Sequence, residues 1–393
     1  MKEHLIRDNH SLKSCLESLS RASIIAFDTE FVSEESFRPE LCLLQVATEE
    51  ELFVIDPLQV EGLNGFWDIL STGQKVVIVH AGREEIRICQ VLSGKQPGGI
   101  FDIQVAAGLL GLGYPSSYAS LVQNLTGTRL SKQETLTDWR IRPLREEQIR
   151  YAFDDVRYLI PCWKKMSQRL EKLEREAWAG EEFAMLLAKV NLNDGESERW
   201  RKVKGAGSLD ARKLAMLREI FKWREEMAAK RNRPVRAILR DDLIIEVVKR
   251  NPKEGSDLAH LRGIQPRDTT ALFACLEKAR AISKEELPEV EDYRQEPPQV
   301  QTIAQVLGSI LADHCAREEL TPGLVATTSD LRDLVRGKLE GNGLSPDNAL
   351  ADGWRKKHIL PIFMAFLEGK SSLRLARVDR ESPFEYDNHS SRG

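Results

Sequence analysis

Signals for β-strands are confined to the first part of this 393-residue chain, and from about residue 145 onwards only helical patterns remain. Short apolar runs rich in β-branched and aromatic residues predict strands at 23–27, 41–46, 52–55 and 76–79. Amphipathic patterns predict helices at 82–91, 103–110, 118–125 and 146–159. Strands that come first and then alternate with helices indicate an α/β domain with a mixed sheet.

Two polar stretches containing proline or glycine divide the chain. One, at 191–208, has the composition of a linker, and a second, at 284–300, carries three prolines and six acidic residues. The segments between and after them are helical in pattern, apart from a polar end for which we expect disorder. The modules and the tail that this division predicts are 1–190, 208–284, 300–372 and 381–393.

Positive charge is concentrated in one block. The chain has a formal net charge of −4, yet residues 199–240 hold 14 basic and only 4 acidic side chains. A compact basic block between acidic flanks is typical of a protein that binds an anionic polymer. A solvated helix face is the commoner explanation of a charge run, and sequence position does not decide between the two.

Composition excludes several other classes of protein. No apolar run approaches the roughly 18 residues of a membrane span, so we expect no membrane partner. The glycine-rich run 108–113 lacks the dinucleotide fingerprint, so we expect no nucleotide cofactor. The cysteines are scattered singly, which predicts a reducing compartment and a cytoplasmic protein. They are Cys15, Cys42, Cys89, Cys162, Cys275 and Cys315.

Two pairs of acids follow predicted strands. Asp28 and Glu30 stand at i and i+2 after the first strand run, and on a strand such side chains share one face. Glu84 and Glu85 follow the fourth strand, in the first turn of a predicted helix. Turn residues and helix N-termini are often acidic in any protein, so neither pair alone indicates a site.

A further acid lies on the predicted helix 146–159. Tyr151 and Asp155 are at i and i+4 and therefore share one helix face. If that face is the apolar one, Asp155 is buried, which is costly unless a metal or another partner compensates. Asp154 points elsewhere and is expected at the surface.

These segments together supply hard oxygen ligands. Carboxylates suit Mg²⁺ or Mn²⁺, and the absence of cysteine and histidine clusters from the sequence argues against zinc. Two such cations about 4 Å apart promote in-line attack on a phosphodiester.

The three segments resemble the exonuclease motifs of the DEDD superfamily, and specifically its branch with Tyr-x-x-x-Asp. In order and spacing, residues 1–190 are similar to bacterial ribonuclease D. The module at 208–284 resembles an HRDC domain, and the module at 300–372 resembles the more divergent second helical domain of that family. The strings that carry the resemblance include Asp28-Thr29-Glu30-Phe31-Val32, Leu43-Leu44-Gln45, Ile55-Asp56-Pro57-Leu58, His80-Ala81-Gly82 and Arg231-Asn232-Arg233-Pro234-Val235.

The resemblance implies a fold and an activity. The fold is a ribonuclease H-like α/β exonuclease domain with a mixed sheet, followed by two all-α HRDC-like domains. The activity is that of a 3′→5′ exoribonuclease that uses two divalent cations, Mg²⁺ or Mn²⁺. Its substrate would be structured RNA such as tRNA precursors, and its products nucleoside 5′-monophosphates. The oligomeric state is left open.

The resemblance also implies roles for individual residues. Asp28, Glu30 and Asp155 would hold one cation, while Asp28 and Glu85 would serve the second. Tyr151 would orient the attacking water, because a phenol with an ordinary pKa of about 10 is a poor base at neutral pH. The residues expected to contact nucleic acid are Phe31, Gln45, His80, Arg231, Arg233 and Arg236; for His80, packing at the strand end is an equally open reading.

One position departs from the family pattern. Glu85 stands where the second motif normally has aspartate, so its carboxylate reaches about 1 Å further along one more methylene. We expect activity to survive with an altered metal preference. Two alternatives stay open at this point, a DNA 3′→5′ exonuclease and a catalytically weakened RNA-binding scaffold.

Overall fold

A six-stranded mixed sheet forms the centre of the N-terminal module. The chain is seen here as a computed structural model that describes residues 1–130, 137–190, 198–290 and 297–388. The strands are β1 (Lys2–Ile6), β2 (Ile24–Val32), β3 (Glu40–Ala47), β4 (Glu51–Ile55), β5 (Val76–Val79) and β6 (Ile100–Asp102). Their order is β1-β4-β3-β2-β5-β6; β3 runs antiparallel to β2 and β4, and the remaining pairs are parallel.

Helices cover both faces of this sheet. One layer contains α1 (Asn9–Arg21), α2 (Asn64–Leu70) and α3 (Arg83–Ser93). The other contains α4 (Ile103–Leu109), α5 (Tyr118–Thr126), α6 (Glu146–Arg157), α7 (Leu159–Lys172) and α8 (Glu176–Lys189). Because both faces are covered, the central strands are apolar on both sides, as in β3, where all but the first residue are buried. The predicted α/β domain with a mixed sheet is confirmed.

The second unit has a hydrophobic core of its own. It is formed by α9 (Ala211–Arg231), α10 (Val235–Ile238), α11 (Asp241–Arg250), α12 (Gly255–Ala259) and α13 (Thr269–Ala281). Trp200, in a 3₁₀ turn at Arg199–Lys202, and Val203 are buried in the same core. The unit therefore begins at about residue 199, and the linker predicted across 191–208 is wrong for its second half. Residues 191–197 lie outside the described residues, as do 291–296 of the second linker.

The third unit is mainly helical. Its elements are α14 (Pro298–Arg317), α15 (Pro322–Val325), α16 (Thr328–Glu340), α17 (Gly353–His358), α18 (Leu360–Leu367), and the antiparallel strands β7 (Ser371–Leu375) and β8 (Phe384–Asn388). The tail predicted to be disordered at 381–393 therefore contains a strand. Tyr386 donates from its hydroxyl to Oδ2 of the buried Asp313 at 3.1 Å, and Arg317 binds the carbonyl of Phe384. Residues 389–393 lie outside the described residues.

This third unit packs directly on the exonuclease domain. The two share one hydrophobic core, in which the ring of Trp354 stacks on that of Trp178 at 4.5 Å. Glu182 accepts a hydrogen bond from Nε1 of Trp354 at 2.7 Å and pairs with the guanidinium of the buried Arg355.

The glycine-rich run 108–113 lies on this seam. A Cβ atom on Gly108 would stand 2.8 Å from Leu324, and one on Gly111, whose φ is +69°, would stand 3.0 Å from the backbone of Glu319. The glycines therefore allow close approach of two units, which is a structural role.

Two further properties of the described residues bear on the setting of the protein. No helix among them is long and apolar enough to cross a membrane. The cysteines are all free thiols, and Cys275 alone among them is partly exposed.

Candidate active site

The first two carboxylates lie on the central strand β2. Asp28 and Glu30 both point to the sheet face covered by α6 and α7, whereas Thr29 between them points to the opposite face. Gln45 of β3 is the direct cross-strand partner of Asp28, so its side chain lies on the same face. A register irregularity between Glu30 and Phe31 ends this regular alternation.

The third carboxylate, Glu85, enters from the first turn of α3. It is only 7% exposed. Its Oε1 accepts a hydrogen bond from Oγ1 of Thr29 at 3.1 Å. The charge of Asp28 also acts on its carboxyl group. The glutamate side chain therefore meets the first motif at Thr29. Glu84 instead pairs with Arg87 at 3.3 Å and takes no part in this contact.

The fourth carboxylate, Asp155, lies on α6, which packs across β2, β3 and β4. Tyr151 lies one turn earlier on the same helix face, and its ring packs against the buried Trp139 at 6.1 Å. Asp154 is directed away and pairs with Arg157 at 2.8 Å.

The segment before α6 is anchored to the sheet. Arg142 donates to both carboxylate oxygens of Asp56, at 2.6 and 2.8 Å, and to the carbonyl of Cys42 at 2.8 Å. It also donates to the carbonyl of Trp139 at 2.6 Å. This bidentate contact fixes the approach to the helix that carries Tyr151.

The four carboxylates repel one another. Burial, and then the charge of Asp28, raises the pKa of Glu30 to about 8. Burial followed by the charge of Asp28 raises the pKa of Glu85 well above its usual range, and burial followed by Asp28 and Glu30 does the same for Asp155. Burial also raises the pKa of Asp28, although the amide of Thr29 and the charge of His80 oppose it. Such a cluster favours the binding of external positive charge.

The donor set fits divalent cations. Oδ2 of Asp155 is buried and has no hydrogen-bond partner. The side-chain nitrogen and oxygen of Gln45 are also buried without a hydrogen-bond partner. Within the described ranges, no three histidine, cysteine or acidic side chains already stand close enough to hold a metal ion.

The three predicted nucleic-acid contacts in this domain have different surroundings. Phe31 is partly buried against the core under α1 to α3. Nε2 of His80 forms a hydrogen bond with the carbonyl of Ser116 at 2.8 Å. The charge of His80 lowers the pKa of Asp28. Gln45 is completely buried, which argues against the predicted direct contact with nucleic acid.

The three predicted arginines of the second unit also differ. Arg231 makes a bidentate ion pair with the buried Asp268, at 2.5 and 3.1 Å. Its guanidinium therefore stabilises its own unit, which argues against the predicted contact with nucleic acid. Arg236 approaches the carbonyl of Glu34 in the exonuclease domain at 3.5 Å. Arg233 is exposed. Most other cations of the basic block are bound to acids or carbonyls of their own unit, as Arg212 is at the end of α13.

One buried acid near the site is not predicted from the sequence. Asp102, at the end of β6, is 2% exposed and binds the backbone of Ala81 and Gly82. No other acidic residue lies beside Asp102 in the sequence, so it forms no recognisable motif. Its position before a predicted helix indicates an N-cap but not a place near the site.

Comparison with known proteins agrees with this geometry. A family model described as 3′-5′ exonuclease matches residues 4–171, and the HRDC domain model matches residues 213–272. Ribonuclease D of Bartonella henselae is 33% identical over 360 residues, which cover 89% of this chain and 86% of that protein. Ribonuclease D of Gluconacetobacter diazotrophicus is 32% identical over 375 residues, which cover 94% of each.

A solved structure is similar along almost the whole chain. It is that of Escherichia coli RNase D, described as an exoribonuclease involved in structured RNA processing. Its TM-score is 0.81 at 26% identity, and the match covers 94% of this chain and 99% of that one.

A mixed sheet with acidic side chains on β2, α3 and α6, in a domain that the 3′-5′ exonuclease model matches, identifies the class as a 3′→5′ exonuclease. With relatives above 30% identity along almost the whole chain, the protein belongs to the ribonuclease D family. It is a 3′→5′ exoribonuclease, its partner is RNA, and its activity uses divalent metal ions, as the motifs predict.

Proposed function

We propose that this protein trims the 3′ ends of structured RNA, such as tRNA precursors, with two divalent cations held by Asp28, Glu30, Glu85 and Asp155. The observation that carries the proposal is the burial of acidic side chains from β2, α3 and α6, one of them with a buried, unpartnered oxygen; burial and then the charge of Asp28 raise the pKa of Glu30, Glu85 and Asp155. Acids so placed destabilise the fold unless a cation offsets them. All ligands are oxygens, which suits Mg²⁺ or Mn²⁺.

Each residue then has a definite task. Asp28, Glu30 and Asp155 would hold one cation, and Asp28 and Glu85 the other. Cations held there would supply a nucleophilic water at neutral pH and would neutralise charge on the departing 3′ oxygen. Tyr151 orients the attacking water through its hydroxyl, and the packing of its ring on Trp139 holds that hydroxyl in place. Asp154 and Glu84 take no part, because each is paired elsewhere.

The path of the RNA is suggested by contacts between the first two units. Residues 33–39, which follow the first motif, are held on one side by Asn232, whose Oδ1 accepts from the amide of Arg38 at 3.1 Å. On the other side Arg140 binds Glu35 at 2.7 Å. The turn at the end of α9 thus lies beside the loop that leads out of the active site.

Two cations at that turn are suited to phosphate contacts. Lys230 and Arg233 are exposed, and within the described residues neither has an acidic partner. An RNA held there by its backbone would direct its 3′ end towards β2. Structured RNA is favoured over short oligomers because it can reach both units at once.

Release of nucleoside 5′-monophosphates follows from attack on the terminal phosphodiester with the 3′ oxygen as leaving group. We place the protein in the cytoplasm, supported by its free thiols, since a reducing compartment preserves them.

The experiment that tests the proposal compares a tRNA precursor carrying a 3′ extension, the same RNA with a blocked 3′ end, and a DNA strand of matched sequence. With Mg²⁺ or Mn²⁺, the first should be shortened stepwise with release of 5′-monophosphates, and Asp28→Asn should abolish that release. Equal degradation of the blocked RNA, or tight binding of the precursor without cleavage, would contradict it.

A further inference from the structure

Asp102 connects three backbone amides around the second carboxylate motif. Its Oδ1 accepts from the amide of Ala81 at 3.0 Å and from that of Gln104 at 2.8 Å, while its Oδ2 accepts from the amide of Gly82 at 2.9 Å. The side chain is buried. A single carboxylate therefore ties the turn after β5 to the N-terminus of α4.

The turn that Asp102 holds is under local constraint. Ala81 has a φ of +53°, a conformation that residues with a Cβ rarely adopt. A Cβ atom on Gly82 would stand 2.3 Å from Cγ2 of Val79, so the backbone there already packs against the preceding strand. Gly82 also precedes α3 without any side-chain cap. The conformation of Ala81 is maintained by its surroundings, and Asp102 supplies hydrogen bonds to the amides of both Ala81 and Gly82.

Glu85 lies three residues after this turn, in the first turn of α3. A helix moves as a rigid element, so a shift of its N-terminus displaces the Glu85 carboxylate by a comparable distance. The contact of Glu85 with Thr29 depends on that placement.

We infer that Asp102 is a positioning residue, which fixes the second-motif carboxylate in the metal site through the turn at Ala81 and Gly82. The inference rests on the proposed function, because it assumes that Glu85 serves a cation. Asp102 itself would touch neither substrate nor reacting atoms, because it acts through the backbone that carries Glu85.

The Asp102→Asn variant separates positioning from capping. Asparagine keeps one oxygen for Ala81 and Gln104 and remains a good N-cap for α4, but it places an NH₂ group opposite the amide of Gly82. We expect a folded protein whose affinity for Mn²⁺, measured by calorimetry without RNA, falls about 10-fold. Turnover of a short RNA should fall by a similar factor with little change in KM.

Asp8→Asn is the matched control, since Asp8 caps α1 through the amides of His10 and Ser11, away from the carboxylates. It should leave both Mn²⁺ affinity and turnover as in the parent. Parent-like Mn²⁺ affinity and turnover in a folded Asp102→Asn protein would overturn the inference.

A second variant covers the case in which Asp102→Asn does not fold. Gly82→Ala moves the same turn by contact with Val79 and leaves Asp102 intact, so it should reproduce the loss of Mn²⁺ affinity. A parent-like affinity in Gly82→Ala would overturn the inference. Glu85→Gln separates the proposed metal site from the proposed role of Asp102. If it leaves Mn²⁺ binding unchanged, the metal assignment fails; if it weakens binding while the turn variants do not, only the role of Asp102 fails.

Discussion

Thr29 donates a hydrogen bond from Oγ1 to Oε1 of Glu85 over 3.1 Å, which joins the second carboxylate motif to the middle of the first. Thr29 lies between two proposed metal ligands on β2, and its side chain is buried. This contact needs the length of a glutamate. It gives a physical reason why a longer acid at position 85 is compatible with the site.

Glu85→Asp tests that relationship. The shorter side chain loses the hydrogen bond to Thr29, so the carboxylate is less constrained. We expect an active enzyme with a changed ratio of Mg²⁺- to Mn²⁺-supported turnover. Glu85→Ala should lose most activity, at least about 10²-fold. Thr29→Val is the control, because it removes the hydrogen bond while keeping every carboxylate. Full activity of the alanine variant would show that another group serves the second cation.

Asp28→Asn and Asp155→Asn should abolish hydrolysis and at the same time stabilise the metal-free protein. Each change removes one of four mutually repelling charges at nearly constant volume. We expect a rise in Tm of about 2–4 °C in chelator, in line with the usual trade-off between active-site charge and stability. Asp154→Asn is the matched control and should retain activity. A lower Tm for both site variants would contradict the repulsion argument.

Tyr151→Phe should slow turnover about 10²-fold without weakening Mn²⁺ binding, because only the hydroxyl that orients water is lost. The ring, and with it the packing on Trp139, is kept. Single-turnover kinetics and calorimetry on the same preparation measure the two effects. Unchanged turnover would reduce Tyr151 to a packing residue.

The pH dependence of stability follows from Glu30. Burial and the charge of Asp28 raise its pKa to about 8 in the folded protein, against about 4.3 for an unfolded glutamate. Between these values the folded state binds more protons than the unfolded state, so the free energy of unfolding of the metal-free protein should fall as pH rises through this window.

Stabilisation by Mn²⁺ should grow over the same window, because cation binding requires ionised carboxylates. Thermal unfolding from pH 5 to 8, in chelator and in Mn²⁺, measures both trends. Glu30→Gln should flatten them. A metal-free Tm that rose steadily with pH would be inconsistent with the raised pKa of Glu30.

The RNA path is tested by reversing charge at the end of α9. The double variant Lys230→Glu with Arg233→Glu should weaken binding of a tRNA-sized RNA. It should lower the slope of log K against log[salt] by about 0.7–0.9 for each lost contact. Cleavage of a short oligomer should be nearly unaffected. Lys249→Glu with Lys253→Glu changes the same charge on the same unit and serves as control. Equal slopes in parent and double variant would leave the basic block as a solvated helix surface.

Much of the fold is readable in the sequence because its central strands are buried on both faces. β3 to β5 appear as apolar runs close to their observed bounds, and α3 to α6 follow clear amphipathic patterns. β2 continues to Val32, five residues past the predicted run 23–27, so Asp28 and Glu30 lie within the strand and not after it. β1 (KEHLI) and the three-residue β6 are missed, since an edge strand with charged residues and a very short strand carry little pattern.

The site is predictable to the extent that its residues form local motifs. Spacing predicts that Asp28 and Glu30 share a face and that Tyr151 and Asp155 do so too. It does not predict the contact of Thr29 with Glu85, because they are 56 residues apart. Tertiary pairing also decides that Arg231 binds Asp268, which no local pattern reveals.

The division into units was harder to foresee for the same reason. The core shared by the first and third units depends on residues far apart in sequence, such as Trp178 and Trp354. Trp200 belongs to the second unit although its neighbours are polar and glycine-rich, so composition alone suggests a linker there.

The most direct test of the central claim is a calorimetric titration of Mn²⁺ into the parent protein and into Asp155→Asn at pH 8, without RNA. We expect specific Mn²⁺ binding by the parent, with release of protons as the carboxylates ionise, and a marked loss of affinity in the variant. Identical Mn²⁺ binding by the two proteins, together with parent-like RNA hydrolysis by Asp155→Asn, would contradict it.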